Sequence, residues 1–155
     1  MLDDEAIELM VANGTYLVAD LYDGNYILEH GPDKGYSEEV LRKTEMTNDA
    51  QREGFAKALE AGVRIAFGTD ASVFPHSFND RQFNHYGKNG MRPERAIQSA
   101  THWATELMGW EDRVGSISSG TFADIVEIDG NPVHDITTLE NVDAVMKGGV
   151  WLVAP

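Results

Sequence analysis

The chain has 155 residues, a formal net charge of −14 and no cysteine. One core-forming domain, with or without a small appendage, fits that length, whereas a complete eight-stranded α/β barrel needs roughly 250 residues. The acidity opposes binding to phosphate backbones, and the missing cysteines exclude disulfides, thiolate metal sites and cysteine nucleophiles. No apolar run approaches the roughly 18 residues of a membrane span, and Met1-Leu2-Asp3-Asp4-Glu5 is too acidic for a signal peptide. Neither nucleic acid nor membrane is therefore an expected partner.

Residues 3–13 are predicted to form a helix. Asp3, Asp4 and Glu5 suit its start, Ile7, Met10 and Val11 form an apolar stripe, and Gly14 can end it. Thr15 to Ala19 reads as a short buried strand. Residues 20–35 contain Asp23-Gly24 and Gly31-Pro32 and are expected to be loop. A helical stretch follows from Ser37 to Ala61, with a break expected near Thr47-Asn48, and then a second strand over 63–68. Strand, long helical crossover and strand make a parallel pair.

Residues 71–92 read as a loop holding a short helix around Asn79 to Tyr86. Pro93 opens a helix that Gly109 terminates. Residues 116–120 form a turn region, and 122–128 a strand. Val142–Lys147 and Val150–Val153 flank Gly148-Gly149, a hairpin signal. Two parallel strands cannot cover both faces and both edges of a sheet, so the expectation is the end of a longer α/β protein. Strand sharing between copies is the alternative, and the exposed strand edges allow self-association.

The sharpest local feature is Gly68-Thr69-Asp70-Ala71-Ser72 immediately after the second strand. An acid there lies at the strand's C-terminal mouth, where α/β barrels place their catalytic groups. Asp70 can hold a divalent cation and accept a proton, or it can simply cap a turn. His76, six residues on, either touches substrate or lies on a surface loop. Asp20, Tyr22 and Asp23 follow the first strand and share the mouth; Tyr22 either hydrogen-bonds a substrate or packs. The five histidines contain no HxH or HExxH pair, and there is no P-loop or dinucleotide fingerprint.

Gly68-Thr69-Asp70-Ala71, Pro75-His76, Pro93-Glu94-Arg95-Ala96-Ile97-Gln98-Ser99-Ala100-Thr101, Asp112-Arg113-Val114-Gly115-Ser116-Ile117, Ala123-Asp124-Ile125-Val126, Asp129-Gly130-Asn131-Pro132 and Val145-Met146-Lys147-Gly148-Gly149 occur in order. Together they resemble the C-terminal part of the amidohydrolase superfamily, in the imidazolonepropionase-like branch that includes Xaa-Pro dipeptidases (prolidases). The resemblance implies an α/β fold: the last two strands and helices of a TIM-like (β/α)8 barrel over residues 1–114. Residues 115–155 would form the C-terminal hairpin part of a small β-sandwich domain.

It also implies that Asp70 is the last-strand aspartate that binds metal and shuttles the proton of the attacking water. His76 matches a loop histidine that follows it. The family's HxH pair, bridging residue and two further histidines have no counterpart here, so they are expected to lie before Met1. The parent is expected to use a divalent metal, zinc by resemblance, and to hydrolyse a C–N bond in a peptide-like substrate, as a dipeptidase or carboxypeptidase. A cyclic amide substrate, as for an imidazolonepropionase-like amidase or deaminase, or a non-catalytic self-associating scaffold, stands as the alternative. The isolated chain, with one of the usual ligands, is expected neither to bind metal tightly nor to be active. The sequence assigns no compartment.

Overall fold

The computed structural model describes residues 2–155. Helix α1 spans Asp4–Asn13. The Asp3 carboxylate caps it by accepting from the Ala6 N–H at 2.9 Å, and Gly14 ends it at φ 63°. Ile7 of α1 is buried against Ala58 and Val63.

Strands β1 (Tyr16–Ala19) and β2 (Arg64–Phe67) pair in parallel, with Leu17 opposite Ile65 and Ala19 opposite Phe67. They form a two-stranded sheet, so each keeps one unpaired edge. The crossover between them carries two helices rather than one. The first, α2 (Asp23–His30), occupies the segment expected to be loop. Its turn-like Gly24 is buried, and a Cβ there would meet Asn48 Oδ1 at 1.9 Å. That close approach, together with burial of Tyr26 against aromatic neighbours, makes helix the packed state of this glycine-containing segment.

Helix α3 (Glu38–Glu60) is continuous for 23 residues, without the expected break. The Thr47 hydroxyl donates to the Lys43 carbonyl at 3.0 Å and stays within the helix, while Asn48 turns its side chain onto Gly24. Phe55 and Ala58 give α3 its inward face.

After β2, a 3-10 turn at His76–Phe78 leads into α4 (Arg81–Lys88). The expected single helix from Pro93 is two: α5 (Pro93–Ala100) and α6 (His102–Met108). Thr101 between them sits at φ −116°, ψ −92°, and its hydroxyl donates to the Ile97 carbonyl at 2.9 Å. Such back-bonding by a β-branched residue bends a helix without interrupting its apolar spacing.

The C-terminal part is an antiparallel sheet in the order β3 (Ile125–Ile128), β4 (Val142–Lys147), β5 (Val150–Val153). Gly148 and Gly149 both have positive φ, 57° and 82°, as a tight hairpin turn requires. The Asp124 carboxylate holds that turn, accepting from the Gly148 N–H at 2.7 Å and from the Lys147 ammonium. The first strand is shorter than 122–128 because the Phe122 N–H is committed to the Arg113 carbonyl at 2.8 Å, outside the sheet.

The main core joins Leu21, Phe55, Ile65, Tyr86, Met91 and Ala96. Full burial of a side chain such as Ile65 or Phe55 contributes about 1.5–3 kcal/mol. Ile136, in a 3-10 turn at Ile136–Glu140, packs against this core and ties the C-terminal sheet segment to the rest. No helix among the described residues is long and apolar enough to cross a membrane.

Candidate functional site at the strand mouth

Both parallel strands end on the same side, as a crossover connection dictates, and the residues that follow them meet there. Gly68 directly follows β2. A Cβ at this position would lie 2.3 Å from Val18 Cγ1, so the backbone passes the neighbouring strand where a side chain would collide. Its carbonyl and that of Ala19 are both capped from α4. Gln82 Nε2 donates to the Ala19 carbonyl at 2.5 Å and to the Gly68 carbonyl at 2.8 Å. Gln82 Oε1 accepts from the Tyr22 N–H at 2.8 Å. The Tyr86 hydroxyl adds a second donor to the Ala19 carbonyl at 2.6 Å.

Asp70 comes two residues after Gly68. Its side chain is exposed, and it has the one positive φ outside glycine among the described residues, 47°. Aspartate tolerates this region better than most residues, but still at about 1 kcal/mol. The preceding Thr69 is held by its hydroxyl, which bonds Asn79 Oδ1 at 2.7 Å.

Two further carboxylates share the mouth. Asp20, just past β1, accepts from Gln51 Nε2 through both its carbonyl and its Oδ1, at 3.1 Å each. Burial pushes its carboxyl up, and the charge of Asp70 adds to the effect. Asp23, the first residue of α2, is pushed up to about 6, first by burial, then by the charges of Asp20 and Asp70. Its Oδ1 is buried without a hydrogen-bond partner. An open cavity of about 410 Å³ beside β1 is lined by these two acids together with Asn48, Gln51 and Phe55.

The residues singled out from sequence are placed as follows. Asp70 stands at the mouth. His76 is exposed at the start of the 3-10 turn, on a loop anchored by the buried Phe74. Tyr22 is buried. Its ring packs edge-on to Phe74 at a centroid distance of 4.8 Å, and its hydroxyl accepts from Arg81 Nη1 at 3.0 Å.

The sequence places Asp23 at the mouth without assigning it a role, and it does not mark Gln82. Asp23 acquires its raised affinity for a proton first from burial and then from the charges of Asp20 and Asp70, which separate loops bring to the mouth. Gln82 reads as an ordinary polar position of a short helix, and no local signal distinguishes it. His85 of α4 is also buried, 5.3 Å between ring centroids from Tyr22, and is lowered to about 4, by burial first and then by Lys88 and Arg52.

Among the described residues no group of three or more His, Cys, Asp or Glu side chains is disposed to hold a metal ion. The mouth acids present do not by themselves satisfy the tetrahedral, nitrogen-rich demand of a catalytic zinc site.

Two parallel strands with an aspartate at their shared C-terminal mouth, followed by an antiparallel sheet, agree with the chain's membership of a known class: it belongs to the amidohydrolase family, whose model matches residues 2–152. Its structure resembles a Xaa-Pro dipeptidase solved with methionine in the active site (41% identity, TM-score 0.89, 98% of this chain and 38% of that one). It also resembles a prolidase complexed with N-methylphosphonate-L-proline (28% identity, TM-score 0.89, 99% of this chain and 38% of that one). The ochratoxinase of Aspergillus niger is 30% identical over 99% of this chain. The chain spans 32% of the length of that curated relative.

Proposed function

We propose that the chain is the C-terminal part of a metal-dependent amidohydrolase that cleaves a C–N bond in a peptide-like substrate, as a dipeptidase or carboxypeptidase. Residues 1–114 contribute the last two strands of its barrel, and residues 115–155 part of a small β domain. The observation that carries this reading is the Asp70 carboxylate, held in left-handed backbone at the mouth of a parallel strand. Likeness to a Xaa-Pro dipeptidase over 98% of this chain supports the substrate class.

In this reading Asp70 supplies one ligand to a divalent metal, zinc by analogy with the family, whose other ligands come from outside residues 1–155. The metal, when bound, would supply Lewis acidity and an acidified water. His76 is the substrate-facing candidate on its exposed loop, and Tyr22 borders the mouth with its hydroxyl shared with Arg81. The chain alone is inactive, because one carboxylate does not retain zinc against water.

The test is complementation. The purified chain is assayed with zinc on Xaa-Pro dipeptides, alone and after co-expression with the N-terminal part of a related dipeptidase. Expected are no cleavage alone, zinc-dependent cleavage in the complex, and its loss in Asp70→Asn. Cleavage by the chain alone, or a complex indifferent to Asp70→Asn, overturns the proposal.

A further inference from the structure

Gln82 is fully buried, at 0% exposure, and stands outside the set of residues assigned above to metal or substrate. Its amide spans the two strand ends. The two bonds donated by Nε2, to the carbonyls of Ala19 and Gly68, and the one accepted by Oε1, from the Tyr22 N–H, use donor and acceptor in the only sense that fits. The reversed amide would set an oxygen against two carbonyls and an NH2 against an N–H. One of these bonds falls on the last ladder pair, at Ala19, and the other two, at Gly68 and Tyr22, fall just beyond it, where the sheet itself no longer fixes the backbone. Three residues earlier, Asn79 takes the Thr69 hydroxyl. Residues 68 and 69, which lead into Asp70, are thus pinned to the α4 region at two successive positions, and the loop after β1 is pinned to the same side chain.

We propose that Gln82, assisted by Asn79, is the positioning residue that presents Asp70 at the mouth. It fixes the approach of Gly68 and Thr69, and it locks the loop carrying Tyr22 to the same frame. This rests on the reading of Asp70 as the functional carboxylate. No other standard side chain meets all three demands in that space: glutamate lacks two donors, methionine has the length but no polar hydrogen, and asparagine is one methylene shorter.

The test is amide-resolved NMR on the isotopically labelled 155-residue chain. In the wild type, the Gln82 side-chain NH2 protons are expected to be protected from exchange; free exchange overturns the proposal. In Gln82→Met, the core signals of Phe55 and Ile65 are expected to stay in place. The Tyr22 amide should exchange about tenfold faster or more, and Asp70 should lose the chemical-shift and coupling signature of left-handed φ.

A purely structural role would lower the unfolding midpoint and leave the Asp70 signature as in the wild type, which also overturns the proposal. Should Gln82→Met fail to fold, Asn79→Ala decides. Loss of the Asp70 signature with unchanged Tyr22 exchange supports the clamp, and an intact signature refutes it. These readouts need neither metal nor substrate. If Asp70 is not the functional carboxylate, cleavage by the complex is indifferent to Asp70→Asn while the backbone at position 70 still responds to Gln82. If the clamp is wrong, the backbone does not respond while Asp70→Asn still abolishes cleavage.

Discussion

Asp23 and His85 titrate in the same pH window with opposite consequences for stability, and removing one should unmask the other. Asp23 moves from 3.8 to about 6 in the folded chain, so the fold favours its protonated form. Its contribution is fully favourable below 3.8 and is lost as pH rises through about 6. His85 moves from 6.5 to about 4, so the fold favours its neutral form. No penalty exists above 6.5, and stability is lost as pH falls toward 4.

A tenfold change in proton affinity is worth about 1.4 kcal/mol, so each group has a ceiling of about 3 kcal/mol. Asp23 is part-exposed, and the charges that act on His85 sit on the exposed Lys88 and the part-exposed Arg52, so screening reduces each to about 1–2 kcal/mol. In the wild type the two slopes oppose one another between pH 4 and 6. Asp23→Asn should raise stability by about 1 kcal/mol at pH 7 and leave a curve that declines with acid. His85→Gln should leave the opposite curve, rising as pH falls from about 6 to 4.

Urea unfolding midpoints at half-unit pH steps read both effects. Every other group is present in all three proteins, so differences between curves report the pair together with the Asp20 charge coupled to Asp23. Curves parallel to the wild type across this window would refute the account of burial and converging charge at the mouth.

Gly68→Ala places a Cβ 2.3 Å from Val18 Cγ1, and Val18, 52% exposed, must leave its preferred rotamer or shift the strand. A loss of about 1 kcal/mol is expected in thermal or urea unfolding, and Val18→Ala should absorb most of it in the double variant; additive losses would contradict the close approach of the two strands. On the outer strand of the second sheet, Val150 is 64% exposed beside exposed Trp151, Leu152 and Val153. Val150→Lys should reduce concentration-dependent association in sedimentation velocity, and association unchanged by the lysine would clear this edge as its cause.

Much of the frame was readable from residues alone. The apolar runs Thr15 to Ala19 and Val63 to Phe67 announce the two strands, although the first is only part-buried, with Val18 exposed beside its unpaired edge, and the long polar-apolar stretch between them requires a parallel crossover. The hairpin at Gly148-Gly149 is equally local, since two adjacent glycines with positive φ suffice for it. Helix α2 was hidden because Asp23-Gly24 and Gly31-Pro32 are turn signals, overridden by a glycine that seats Asn48 from another helix. The bend at Thr101 was hidden because apolar spacing runs through it unbroken, and only a hydroxyl bond to Ile97 marks it. At the site, Asp70 was legible from its place after a strand, whereas the burial of Gln82 and the proton affinity of Asp23 depend on side chains far apart in sequence.

Backbone geometry bears on that carboxylate as well. Among the described residues eleven adopt positive φ, and ten of them are glycine. The chain therefore meets the demand for left-handed backbone with glycine everywhere except at position 70. A glycine there would relieve about 1 kcal/mol of strain but would remove the side chain from the strand mouth. Gly68, two residues before, shows that glycine is used in this same loop where close approach requires it. Among the described residues the exposed Asp70 side chain has no hydrogen-bond partner that would offset its conformation as a turn cap, and the neighbouring anchors are Thr69 to Asn79 and Gly68 to Gln82. Strain retained at this exposed acid, with its supports on the flanking residues, supports the proposal that Asp70 is held for a ligand.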